Sequence, residues 1–143
     1  VKQQIDSPQN MYNSPINLFV AQFLGNPPVN VFHGVIKDKK VYVGKDLVLE
    51  TTTDIKDQEV YVAIRAEGFE LKKTGGLKAE AEMVQVLGRD ISIVCKNEFC
   101  VQPTFKVIVQ HDDANIKGKI SLGVKPNKIF VFDTKTEKRI FLK

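Results

Sequence analysis

The sequence predicts a mainly β fold, and three observations carry that prediction. Val, Ile and Thr supply 18, 12 and 7 of the 143 residues, a weighting toward side chains branched at Cβ, which pack better on a pleated sheet than on a helix. Apolar residues make up 43% of the chain and charged residues 27%, enough to enclose a core and too apolar for a disordered chain. Short runs of branched and aromatic residues recur between Gly, Pro, Asn and Asp, the spacing of a sandwich or small barrel.

The first 28 residues read differently. Ser7-Pro8 is a helix start with Pro at the first helical position, and Gln9 to Tyr12 continue it. A second helix begins near Pro15 to Asn17 and runs to Leu24, where Gly25 stops it and Pro27-Pro28 forbid continuation. Its stretch Leu18-Phe19-Val20-Ala21-Gln22-Phe23-Leu24 is apolar nearly all round, which predicts cover on more than one side. Leu18, Phe19, Val20, Phe23 and Leu24 are therefore expected to pack between domains, with residues 1–28 the tail of a neighbouring domain and 29–143 a β domain. The N-terminus lacks the apolar stretch of a signal peptide and an initiator Met, so the chain reads as a fragment or processed product.

From Val29 the strands follow in order. Val29 to Ile36, Val41 to Val43 with Leu47 to Leu49, Val60 to Ile64, Ala79 to Leu87, Ile91 to Cys95, Phe105 to Val109, Ile120 to Val124 and Ile129 to Phe132 are the expected set. Lys37 to Lys40, Gly44 to Asp46, Thr74 to Gly76, Gly88 to Asp90, Asp112 to Asn115 and Pro126-Asn127 are the turns between them. One echo stands out at an offset of 60 residues: Val62-Ala-Ile-Arg-Ala-Glu-Gly-Phe69 matches Leu122-Gly-Val-Lys-Pro-Asn-Lys-Ile129 as strand, basic residue, tight turn and apolar residue. Two such units would build one barrel.

The chemistry read from the sequence is mostly exclusion. The net charge of +4 comes from 21 Lys and Arg against 17 Asp and Glu, mixed along the chain rather than blocked as in a nucleic-acid binder. A phosphate loop needs the spacing GxxxxGK[ST]; Val43-Gly-Lys-Asp46 has Asp where the hydroxyl belongs, and Gly118-Lys119 lacks the earlier glycine. His33, Cys95, Cys100 and His111 are not at zinc-ligand spacing, and no nucleophile elbow or carboxylate pair suggests catalysis. If Asn97-Glu98 form a turn, Cys95 and Cys100 face each other across a hairpin, but two cysteines in a chain of this size read as free thiols. No apolar run reaches the roughly 18 residues of a membrane helix.

The residues Gln4-Ile-Asp-Ser-Pro-Gln-Asn-Met-Tyr-Asn-Ser-Pro-Ile-Asn-Leu-Phe-Val-Ala-Gln-Phe-Leu-Gly-Asn-Pro-Pro-Val-Asn30 resemble a segment of sugar-importing ABC transporter ATPases of the maltose and multiple-sugar type. That segment joins their nucleotide-binding domain to their C-terminal domain. Val62-Ala-Ile-Arg-Ala-Glu67 is similar to the family's Gly-Ile-Arg-Pro-Glu stretch, departing from it at Ala63 and Ala66. Ala79 to Gly88 and Leu122 to Pro126 with Ile129 to Asp133 resemble its later strands.

The resemblance implies an OB-like TOBE barrel of two similar strand-turn units, preceded by two short helices of the nucleotide-binding domain. It implies a regulatory, dimer-stabilising role behind an ATPase whose ATP and Mg sites lie elsewhere, so that this chain holds no cofactor and is no enzyme. The implied partners are its own nucleotide-binding domain, a second ATPase subunit, the transporter's membrane subunits and a regulator of sugar uptake, with no nucleic acid. The implied location is the cytoplasmic face of the cell membrane. Arg65, Glu67, Phe69, Arg89, Asp90, Lys125 and Asn127 are the expected regulatory or interface residues. Two alternatives carry different tests: Arg65, Arg89 and Lys125 as the contacts of an oxyanion sensor, and an OB domain that binds single-stranded nucleic acid.

Overall fold

The computed structural model describes residues 9, 14–23, 28–110, 116 and 118–142. They form a short helix α1 (Leu18–Phe23) and eleven strands. Strands β1 (Asn30–Lys37), β2 (Lys40–Val43), β3 (Asp46–Glu50) and β4 (Gln58–Ile64) come first. A 3₁₀ turn η1 (Ala66–Gly68) then leads into β5 (Phe69–Lys72), β6 (Leu77–Leu87), β7 (Asp90–Lys96) and β8 (Phe105–Gln110). The last elements are β9 (Gly118–Val124), a second 3₁₀ turn η2 (Pro126–Lys128), β10 (Ile129–Asp133) and β11 (Arg139–Ile140).

All the expected strands are present, and the sequence reading missed β5 and β11. The first expected helix lies outside the described residues except for Gln9, and so do Leu24, His111 and the turn at 112–115.

The strands make two antiparallel sheets, ordered β11-β10-β4-β1-β2-β3 and β5-β9-β6-β7-β8, an arrangement consistent with an OB-like fold. Alternation along each strand turns Phe32, Ile36, Val60, Val62 and Ile64 of the first sheet onto Leu77, Ile91, Ile93, Phe105 and Leu122 of the second, one core shared by both. Phe105 sits edge-on to Phe32, centroids 5.0 Å apart, and tilted against Phe69 at 5.7 Å.

The sheets are laced along β1. Asn30 donates from Nδ2 to the Lys106 carbonyl at 2.8 Å and accepts the Lys106 N–H at 3.1 Å, so a side-chain amide completes a ladder rung between sheets. Further along, His33 N–H donates to the Phe99 carbonyl at 2.7 Å and Val101 N–H to the Val31 carbonyl at 2.8 Å.

That lacing corrects the cysteine geometry. β7 pairs with β8 so that Cys95 stands opposite Phe105, while Cys100 bridges to Phe32 of β1. The connection from β7 to β8 is thus a long hairpin loop that touches β1 of the other sheet at Cys100 before returning, rather than a two-residue turn, and both thiols are free. Burial pushes the Cys95 thiol up to about 12. Burial also raises Cys100, opposed by a hydrogen bond from the Gln102 backbone that favours the thiolate. Since the thiolate is the nucleophile, alkylation of the native chain at pH 8 should label Cys100 first and Cys95 only on unfolding. Equal labelling rates by mass spectrometry would contradict this burial.

Helix α1 packs on the outer face of the first sheet. Asn17 caps it, its Oδ1 accepting the Val20 N–H at 2.9 Å. Leu18 and Ala21 join Val29, Val31, Ala63, Phe130 and Phe132 in a second cluster. Leu18 and Ala21 are therefore buried against the β domain itself, Val20 is also buried, and Phe19 stays 56% exposed. The outer face of β1, β4 and β10 is itself apolar and supplies the surface on which Leu18 and Ala21 pack.

Candidate functional site

The two echoed units form one construction. β4 runs through η1 into β5, crossing from the first sheet to the second, and β9 runs through η2 into β10 in the opposite sense. Each unit pairs with the other: Ile64 stands opposite Ile129, and Phe69 opposite Val124. At the crossing, Arg65 N–H donates to the Lys128 carbonyl at 3.0 Å and Lys125 N–H to the Gly68 carbonyl at 2.7 Å. The turns close on themselves in the same way, Gly68 N–H to the Arg65 carbonyl at 2.8 Å and Lys128 N–H to the Lys125 carbonyl at 3.0 Å. Equivalent donors thus find equivalent acceptors about a local two-fold axis, which is why the echo survives at eight positions.

The symmetry is broken at its basic residues. Lys125 is exposed, whereas Arg65 is 1% exposed. The Arg65 Nη1 donates to the Ala21 carbonyl in α1 at 2.9 Å, and its guanidinium carbon lies 5.7 Å from the Phe130 ring centre. Arg65 is no surface contact; it fastens the N-terminal helix to the sheet.

Arg139 does the same at the other end of the segment, donating from Nη1 to the Ser14 Oγ and the Pro15 carbonyl, both at 3.1 Å. It stacks between Phe130 at 4.7 Å and Phe141 at 4.6 Å, and this burial lowers its pKa. Backbone bonds from Leu18 N–H to the Glu137 carbonyl and from Arg139 N–H to the Ile16 carbonyl complete the seam.

The remaining expected residues sort by position. Phe69 is 1% exposed and belongs to the core. Its place is a second correction, since it follows directly from the inward phase of β5. Glu67 pairs with Lys128 at 3.8 Å. Arg89 is exposed in the two-residue loop of the β6–β7 hairpin beside Gly88, whose φ of +65° lets the turn close. Asn127 is exposed in η2. Glu67, Asp90 and Lys125 converge with Glu70, Ile108 and Gln110 on an open groove of about 600 Å³. Glu70 is the groove residue missed from the sequence, because β5 was missed.

Three carboxylates against one ammonium make this groove a poor place for an oxyanion. Among the described residues no cluster of three or more His, Cys, Asp or Glu is placed to hold a metal ion, and no helix is long and apolar enough to cross a membrane.

Comparison with known proteins gives the context of this site. No protein-family model matches the chain. The sn-glycerol-3-phosphate import ATP-binding protein UgpC of Psychromonas ingrahamii is 25% identical over 145 residues, covering 96% of this chain and 39% of that protein. The oligosaccharides import ATP-binding protein MsmX of Bacillus subtilis is 27% identical, covering 96% of this chain and 41% of MsmX. This chain is similar to importer ATP-binding subunits. The diacetylchitobiose uptake system ATP-binding protein MsiK of Streptomyces coelicolor is 40% identical over 80 residues, 52% of this chain and 21% of MsiK. The chain spans about two fifths of the length of the importer relatives it matches from end to end, UgpC and MsmX.

Proposed function

We propose that this chain is the C-terminal regulatory and dimer-stabilising domain, of the TOBE type, of an ABC importer's ATP-binding subunit. The observation that supports the reading best is one of coverage: nearly the whole chain aligns with under half of each such relative, and the sequence holds no phosphate loop. ATP and Mg then belong to the rest of the subunit, which works as a pair beneath membrane subunits at the cytoplasmic face. The relatives are named for glycerol phosphate, diacetylchitobiose and oligosaccharides, so solute choice is not assigned to this domain. Its part is to hold subunits together and to receive a regulator of uptake, with the exposed Arg89, Lys125 and Asn127 and the half-buried Glu67 and Asp90 as the polar contacts.

Residues 14–23 tie this domain to the rest of the subunit. The exposed Phe19, together with Phe23 and Leu24 from the apolar pattern, is assigned to the nucleotide-binding domain side.

Two measurements test the reading. Without nucleotide, the whole subunit should remain dimeric, and the same subunit ended before Val29 should sediment as a monomer; equal association would overturn the dimer-stabilising role. MgATP should leave the melting temperature of the 143-residue chain unchanged. A ligand held at a hundred times its Kd adds about 2.7 kcal/mol, which at this size reads as a rise of roughly 5–10 °C. Such a rise would overturn the domain assignment.

A further inference from the structure

In the β6–β7 hairpin, strand β6 runs past the end of its pairing with β9 at Ala81, while β7 stays paired with β8 up to Asp90, so the second half of β6 and the turn at Gly88-Arg89 form a free edge of the second sheet. Met83, Val86 and Leu87 are 64%, 58% and 49% exposed, apolar positions on the two faces of β6 that lead to the exposed Arg89 at the tip of the turn. The last rung of this hairpin pairs Leu87 with Asp90, and Asp90 also lines the acidic groove. Tip and groove therefore adjoin.

Their chemistries are opposite. The groove offers the exposed Glu70 beside the half-buried apolar surface of Leu71 and Ile108. The tip offers a guanidinium flanked by apolar side chains. Among the described residues the ion pairs are Lys96 with Glu82 and Lys128 with Glu67; Arg89 and Glu70 belong to neither.

We propose that this end of the domain is a self-complementary docking surface for a second copy of the chain, in which the Arg89 tip of each copy enters the Glu70 groove of the other. The inference rests on the reading that the domain pairs its subunits, and it names the surface that does so. Adjacency of plug and socket is the decisive point. A two-fold axis through their common border at Asp90 places each tip on the other's groove and closes the assembly at two, whereas plug and socket on opposite sides would build open chains. The exposed apolar residues of β6 add buried area beside the Arg89–Glu70 contacts.

Charge exchange tests the surface directly. Sedimentation of the 143-residue chain from about 10 µM to about 1 mM, a range that brackets weak association, should show a monomer–dimer equilibrium. Arg89→Glu and Glu70→Arg should each raise the dimer Kd at least about tenfold, since each sets like charges against one another twice per dimer. The double variant R89E/E70R restores both contacts and should return Kd to within about threefold of the original. Both sites are exposed, and unchanged melting curves will show that the variants fold.

A dimer that ignores both single changes, or a double variant no tighter than the singles, overturns this surface while leaving the pairing role intact. A wild-type chain still monomeric near 1 mM overturns the surface, and the nucleotide-free whole subunit then decides the pairing role alone.

Discussion

Replacing Arg65 with Ala should cost the domain about 3–4 kcal/mol, read as a drop of roughly 10 °C in Tm, and should release α1 before the sheets melt. The guanidinium is 1% exposed and donates to the Ala21 carbonyl at 2.9 Å. A hydrogen bond from a charged donor contributes about 1.5–3 kcal/mol, and the contact with Phe130 adds about 1 kcal/mol or more when desolvated. For a chain of this size each kcal/mol moves Tm by a few degrees.

Arg65→Lys keeps the charge but replaces a planar fork by a point charge, so it should recover only part of the loss. Arg65→Glu places a carboxylate against a carbonyl oxygen and should prevent folding. Urea titration gives the magnitude, and hydrogen exchange at residues 18–23 shows where the loss falls. Unchanged exchange there would show that the arginine acts elsewhere.

The second large effect is expected at Gly76. Gly75 and Gly76 both have positive φ, +79° and +65°, so an Ala at either carries the left-handed penalty of about 1–2 kcal/mol. At Gly75 a Cβ meets nothing within 4 Å, whereas at Gly76 it comes within 2.2 Å of the Leu122 carbonyl oxygen. That oxygen belongs to the β9 backbone and cannot step aside without breaking the ladder with β6. Gly75→Ala should therefore cost about 1 kcal/mol and Gly76→Ala about 3–5 kcal/mol, the excess being overpacking. Equal costs from paired denaturation curves would mean that β9 yields easily.

The strands were legible because branched residues and turn formers alternate sharply along this chain. β5 was not, since Phe69-Glu70-Leu71-Lys72 carries only two apolar residues and its partner β9 lies about fifty residues away. Arg65 is expected at the surface as a regulatory contact because charged side chains are rarely buried. Its flanks held the opposite signal: Val62, Ala63, Ile64 and Ala66 are all apolar, and Glu67 alone is the polar residue the turn presents to water. Phe69 was misplaced with it, as the apolar end of a turn rather than the first inward residue of a strand. The pairing of the two echoed units was visible as repetition, while the reciprocal bonds that cause it are backbone bonds and carry no residue signature. The groove was half legible, for Asp90 and Lys125 sit at recognisable turns and Glu70 does not.

The exchange of strands between the two units also sets an order of events in time. β4 is complete at Ile64, yet one of its two edges waits for β10, which begins at Ile129, and β5 waits for β9. A ribosome adding about 5–20 residues per second leaves those edges unpaired for roughly 3–13 s while the intervening chain is made. Closing such distant pairs is slow even after release, on the millisecond to second scale of non-local β proteins. The nascent domain thus passes through an interval in which β4 keeps an open backbone edge and Val60, Val62 and Ile64 an apolar face that the second sheet has yet to cover. In a cell that interval, more than the folded surface, is where a holding chaperone would meet this chain.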